Sequence, residues 1–218
     1  MTRRRLSLRR FGADEQGTTL VELAMVLPLF LLLFFALIDF GRLAYQWMGS
    51  EKAMGIAARI ATVRAPACGP DLVPETYTRG TSTTERYGTN CNAGPGICSL
   101  PAEVTCLGDV TNTTVAEIWN RIEPLMPNTA TAANMRFRYS PDASNGDGVT
   151  QQIGFLGGPY VPTVTVELTG LTFQFVTPLS ALADLASGVT GSDISSDLAM
   201  PDMSVSLPGE DLALGTNG

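Results

Sequence analysis

The sequence predicts an α+β protein, with one long N-terminal helix followed by an exported part of short antiparallel strands and a disulfide-held loop. Three observations predict it. From Thr18 to Ile38 every residue is apolar or small except Glu22, and at about 1.5 Å of rise per residue such a helix is about long enough to cross a hydrocarbon core of roughly 30 Å. Apolar residues then keep helical spacing as far as about Val63. After Pro66 the pattern changes to period-two segments and turn residues, with four cysteines crowded into one stretch.

The chain has 218 residues and a net charge of −7, room for a membrane segment and one exported domain of about 150 residues. Its charge is unevenly placed. Arg3, Arg4, Arg5, Arg9 and Arg10 precede the apolar run, whereas sixteen of the 21 acids lie beyond Pro66. The positive-inside rule therefore keeps the N-terminus cytoplasmic and exports the acidic part. That part offers no basic surface for phosphates, which argues against a nucleic-acid partner. The apolar core exceeds the roughly 7–15 residues of an ordinary secretory signal and no Ala-x-Ala site follows it, so removal by ordinary signal peptidase is not expected.

In chain order, residues 1–17 form a basic leader, 18–38 the transmembrane helix, 39–65 its amphipathic extension and 66–218 the exported head. Pro28 removes an amide donor and crowds the carbonyl of Ala24, which predicts a kink or local loosening. In the extension Phe40, Leu43, Ala44, Trp47 and Met48, then Met54, Ala57, Ala58 and Ala61, make a stripe expected to pack on the head. Asp39 and Arg42 stand three apart, close enough to pair, and Tyr45 and Trp47 suit the outer membrane interface. Pro66 ends the helix.

Residues 67–108 hold few large apolar side chains and read as an irregular, disulfide-held loop. Thr114 to Glu123 reads as a helix capped by Thr114 with Glu117 three residues on, and with Trp119 in the core. Met135 to Tyr139 alternates as a half-buried strand, and Gln151 to Leu156 is a weaker candidate. Val161 to Leu168 and Leu171 to Val176 alternate around Thr169-Gly170 and read as a hairpin, with Pro162 at an edge or first position. Pro178 to Ala186 reads as a short helix, Met203 to Leu207 as a last strand, and Glu210-Asp211 as a loose tail.

Cys68, Cys91, Cys98 and Cys106 all lie on the exported side. An even count there reads as two disulfides, with three connectivities open; four-thiolate zinc fits poorly because no Cys-x-x-Cys occurs. Pro141 to Gly148 (PDASNGDG) misses the calcium-loop spacing and reads as a tight turn. The chain has no histidine, which removes the usual general base, Ser-His-Asp and Cys-His catalysis, and histidine metal sites. Lys52 is the only lysine and no phosphate-binding glycine loop appears. No enzymatic activity and no cofactor are expected.

Glu22 is the anomaly. Even the most lenient insertion scale charges about 2.5–3.5 kcal/mol for an acid at the centre of a span. One reading lets Glu22 snorkel to the cytoplasmic interface. The other follows from cutting the chain after Gly17: Thr18 then carries a new α-amine, Glu22 becomes the fifth residue, and its carboxylate can pair with the amine of a neighbouring subunit.

Gly17, the run Thr18 to Val21, and Glu22 opening an apolar helix resemble a type IV prepilin leader. More narrowly, Val21 to Pro28, Asp39 to Arg42 (Asp-Phe-Gly-Arg) and Ala53 to Arg64 resemble the start of TadE-like proteins, minor pseudopilins of tight-adherence (Tad/Flp) pili. Leu23 departs from the major Flp pilins, which carry an aromatic there, and Thr18 from the Phe or Met that opens many mature pilins. The resemblance implies cleavage between Gly17 and Thr18 by a prepilin peptidase and a pilin-like head whose sheet covers the C-terminal half of the long helix. It also implies a single-pass protein of the bacterial inner membrane with its head in the periplasm, or in the extracellular pilus. Its expected partners are other pilins or pseudopilins, the peptidase and the assembly platform. Two alternatives stay open: a type II secretion or type IVa pseudopilin, suggested by Thr19 to Glu22, and an uncleaved single-pass anchor presenting a periplasmic binding domain.

Overall fold

The structure is a computed structural model that describes residues 16–69, 71–141, 154–177, 197–210 and 212. Outside these lie the basic leader, nearly all of the Pro141–Gly148 turn, the start of the Gln151 segment, the short helix expected from Pro178 to Ala186, and Asp211 in the tail. The fold is α+β, as the patterning predicts. The chain divides into two compact units, Met1–Leu43 with Gln174–Leu198, and Ala44–Phe173 with Ala199–Gly218.

Helix α1, Gln16–Val63, supplies residues to both. It stays helical through Pro28, whose missing amide leaves one backbone carbonyl without its usual donor. In the second unit Ser50, Ala53, Met54, Ala57, Ala58 and Ala61 are buried, a three-and-four spacing that marks one face. Burial on this face starts at Ser50 and not, as the stripe predicted, near Phe40; Ala44 and Met48 are exposed. The close approach begins at Gly49, where a Cβ would stand 2.7 Å from the Leu125 carbonyl oxygen.

Four strands form an antiparallel sheet in the order β1-β2-β3-β6: β1 Val104–Leu107, β2 Met135–Ser140, β3 Thr163–Leu168 and β6 Met203–Pro208. Alternation gives it two chemically distinct faces. Met135, Phe137, Tyr139, Val164, Val166 and Leu168 are buried. Arg136, Arg138 and Glu167 share the other face, and Glu167 takes both arginines, Arg136 at 3.3 Å.

Two expectations about strands are corrected here. The segment after Thr169-Gly170 does not fold back on β3. Both edges of β3 are already taken by β2 and β6, so β4 (Thr172–Gln174) pairs instead with β5 (Asp197–Ala199). Pro162 accordingly sits just before a central strand, where its carbonyl accepts from Gly209 N–H. The cysteine segment, in turn, is not loop throughout: Val104 to Leu107 pairs with β2, and the Gln151–Leu156 candidate yields only an Asn90–Phe155 bridge among the described residues. Around that bridge Tyr77 and Tyr160 meet edge to face at 5.1 Å, a small second core. Gly154 permits it, since a Cβ there would stand 2.3 Å from the Tyr77 ring.

Helix α2 spans Thr113–Ile122 and buries Val115, Ile118 and Ile122, with Trp119 half-buried. Its cap is Asn112, not Thr114. The Asn112 side chain accepts from the Thr114 and Val115 amides, which frees the Thr114 hydroxyl to donate to Ala65 O at 2.8 Å. Glu117 pairs with Arg64 at 3.1 Å instead of closing a capping box. These bonds fasten the end of α1, whose Thr62 carbonyl also accepts from the Glu210 and Leu212 amides.

Two predictions follow from this packing. Gly49→Ala gains helix propensity of about 1 kcal/mol but drives a methyl into a backbone carbonyl, so it should destabilise by about 1–3 kcal/mol net. Ser50→Ala, one residue on, removes a buried hydroxyl that has no hydrogen-bond partner among the described residues, and should be neutral or stabilise by about 1 kcal/mol. Urea unfolding in detergent, with opposite midpoint shifts for neighbouring substitutions, checks both.

Tyr139 is buried and its hydroxyl oxygen accepts from Ala67 N–H at 2.8 Å. Burial pushes its pKa from 10.0 up to about 12, against the opposing pull of that hydrogen bond. The fold thus favours the neutral phenol. This contribution, about 2–3 kcal/mol, is complete below pH 10 and is lost as pH rises through about 12. An ultraviolet phenolate titration should show a late step that Tyr139→Phe removes; five tyrosines ionising together near pH 10 would contradict it.

Candidate functional site

The functional candidates named from sequence separate between the two units. Gly17, Thr18 and Glu22 belong to the first, the cysteines to the second. Gly17 and Thr18 lie in the opening turn of α1, and Glu22 follows about one turn later on an exposed position. From Thr19 to Ile38 no residue is buried; Met25 is 75% and Leu37 67% exposed. The mean hydropathy of this candidate span reaches 2.7. A helix apolar on all sides and left uncovered by the described residues satisfies its backbone internally, except at the carbonyl that Pro28 leaves free, and leaves its side chains to lipid or to other helices. Glu22 is the single acid on it.

Where the apolar run stops, the chain builds a polar clasp within the first unit. Asp39 is fully buried. Its Oδ1 accepts from Arg42 Nη1 at 3.2 Å and from Val176 N–H at 3.5 Å, and its Oδ2 from Thr177 N–H at 3.2 Å and from the Thr177 hydroxyl. Phe175 meets Phe40 edge to face at 6.3 Å. The Asp39–Arg42 pair was visible as an i, i+3 spacing. Its partners Val176 and Thr177 were not, being 137 and 138 residues away. A buried carboxylate is tolerated only when several donors compensate its lost hydration, and this one has four.

The cysteines pair as Cys68–Cys106 and Cys91–Cys98, and none is free. No thiolate therefore remains for a metal. The first bridge joins the turn after α1 to strand β1; the second closes a short loop whose two cysteines are both buried.

Removing the Asp39 carboxylate should open the clasp. Asp39→Ala leaves two backbone amides without their acceptor, so hydrogen exchange at Val176 and Thr177 should quicken by about tenfold or more, equivalent to about 1.4 kcal/mol of lost protection. Asp39→Asn keeps one acceptor oxygen and should fall between. Unchanged exchange in Asp39→Ala would contradict the clasp.

Comparison with known proteins adds one finding to this geometry. No curated protein and no solved structure matches the chain. Residues 17–59 match the family described as TadE-like protein, a match that opens at Gly17, takes in Glu22 and the whole apolar span, and covers Asp39 to Arg42. Residues 17–59 are thus similar to the TadE-like family, and that similarity supports a Tad pilus-associated protein.

Proposed function

We propose that the protein is a minor pilin or pseudopilin of a Tad/Flp-type pilus, a structural subunit in assembly, priming or surface adhesion. The observation that carries this is the bare apolar helix with its lone Glu22, opened by Gly17 within the TadE-like segment. The leader is removed after Gly17 by a prepilin peptidase. The first turn of a helix is the place for such a cut, because its leading amides have no intrahelical partners and fray. Before assembly the span rests in the inner membrane with the acidic head on the periplasmic side. Other pilins or pseudopilins then cover its apolar surface in place of lipid.

Glu22 supplies what apolar packing lacks. Lipid tails are as apolar as leucine, so burial alone does not favour helix–helix contact in a membrane or set a stagger. A carboxylate meeting the new Thr18 amine of the next subunit neutralises two charges at once and fixes their relative height. Removing one partner of a buried pair costs about 3–5 kcal/mol, so Glu22→Ala should cut pilus assembly by about tenfold or more while processing continues. Mass spectrometry of the protein from its own host should give Thr18 as the mature N-terminus, and replacing Gly17 by a bulky residue should block it. Retention of Arg3 to Arg10 in the mature chain, or normal fibres from Glu22→Ala, would overturn this reading.

A further inference from the structure

We infer that the segment Gln174–Thr177 is a second membrane-contacting element, an apolar wedge that Asp39 holds at the headgroup level of the bilayer. The inference rests on the reading of Thr18 to Ile38 as a membrane span. Asp39 and Phe40 follow that span directly, and at about 1.5 Å per residue they stand within about one turn of its end. Direct contacts tie the segment to this level. Val176 and Thr177 donate backbone amides to Asp39, and the Phe175 ring meets the Phe40 ring.

Beside Gln174 and the partly exposed Arg42, the clasp presents two large apolar side chains outward. Val176 is 71% exposed and Phe40 56% exposed, next to Leu37 and Ile38 on the span itself. Gln174 at the start of the segment is exposed, whereas beyond it two amides and the Thr177 hydroxyl turn inward to Asp39. Exposed aliphatic and aromatic side chains beside a span, with backbone donors satisfied internally, suit the interfacial region, where amphipathic elements bury their apolar side about 5–10 Å deep. The occupant is a lipid surface because this patch continues the exposed apolar surface of the span without a polar break other than Asp39, and Asp39 is buried. Asp39 is a positioning residue here. It touches the segment and not the lipid.

The test uses full-length protein in vesicles of phosphatidylcholine and phosphatidylglycerol. All native cysteines are in disulfides, so Val176→Cys takes an environment-sensitive fluorophore under non-reducing conditions. Lipids carrying a nitroxide at the headgroup or at the acyl end then report depth. The label at 176 should be quenched more strongly from the headgroup than from the acyl end and be shielded from aqueous iodide. A Leu29→Cys label should be quenched from the acyl end. Adding Asp39→Ala should abolish lipid quenching at 176, and the milder Thr177→Val should reduce it, with circular dichroism and both disulfides checked in each. A label at 176 open to iodide and untouched by either nitroxide, with Leu29 quenched, overturns the inference and leaves the membrane span standing. Loss of quenching at Leu29 overturns the span itself and the wedge with it. Excimer emission from pyrene at 176 without lipid quenching assigns the surface to a second copy of the chain, and also overturns the inference.

Discussion

An apolar helix that its own fold leaves bare has to be covered by something else, and that requirement governs the rest of this protein. Each fully buried Leu, Met or Phe side chain is worth about 1.5–3 kcal/mol relative to water, and the stretch from Thr19 to Ile38 carries more than ten large apolar residues. Together they exceed the roughly 5–15 kcal/mol that holds a whole domain folded. Exposure of this helix to water is therefore not a tolerable state. Lipid covers it at no cost in specificity, and other helices cover it only if something sets their register. That is why one acid in the run matters more than its neighbours.

The same helix changes its chemistry twice along its length. Up to Ile38 it carries bulky side chains facing outward, and from Ser50 it buries Ala53, Ala57, Ala58 and Ala61, small residues that admit close backbone approach. Gly49 marks the start of that regime, since the Leu125 carbonyl leaves no room for a side chain. Between them Asp39 concentrates the polar donors of a distant segment on one buried carboxylate. An isolated buried charge costs several kcal/mol, and four hydrogen bonds offset that cost only when all the donors are held in place. A boundary built this way is rigid or absent.

Much of this was legible in the residues. The long helix, the alternating strands at Met135 and Met203, the α+β class and the two disulfides all follow from local periodicity and composition, which the structure keeps. Three things were not legible, for one shared reason. The expected hairpin at Thr169-Gly170 has a good turn and good alternation, but β3 already has β2 on one edge and β6 on the other. Val104 to Leu107 looks like loop because it is only four residues long and follows a stretch rich in turn residues; its pairing with β2 decides it. Asp39 reads only as one half of an i, i+3 pair with Arg42 because Val176 and Thr177 are remote in sequence. Local pattern names what a segment can do, and competition among distant partners selects what it does. Asn112 makes the same point on a smaller scale: it takes the cap that Thr114 offered, and the Thr114 hydroxyl goes to Ala65, remote in sequence.

The far end of α1 completes the argument. The turn that follows it is bonded covalently to β1 through Cys68–Cys106, its Thr62 carbonyl is bound by the Glu210 and Leu212 amides, Arg64 pairs with Glu117, and the Ala65 and Pro66 carbonyls accept from Thr114 and Asn112. Each neutral bond contributes only about 1 kcal/mol, but they converge on one short stretch and come from α2, β1 and the segment after β6. Because the bridge, the ion pair and the neutral bonds reach the same few residues from different elements, the end of α1 cannot fray without breaking several of them together.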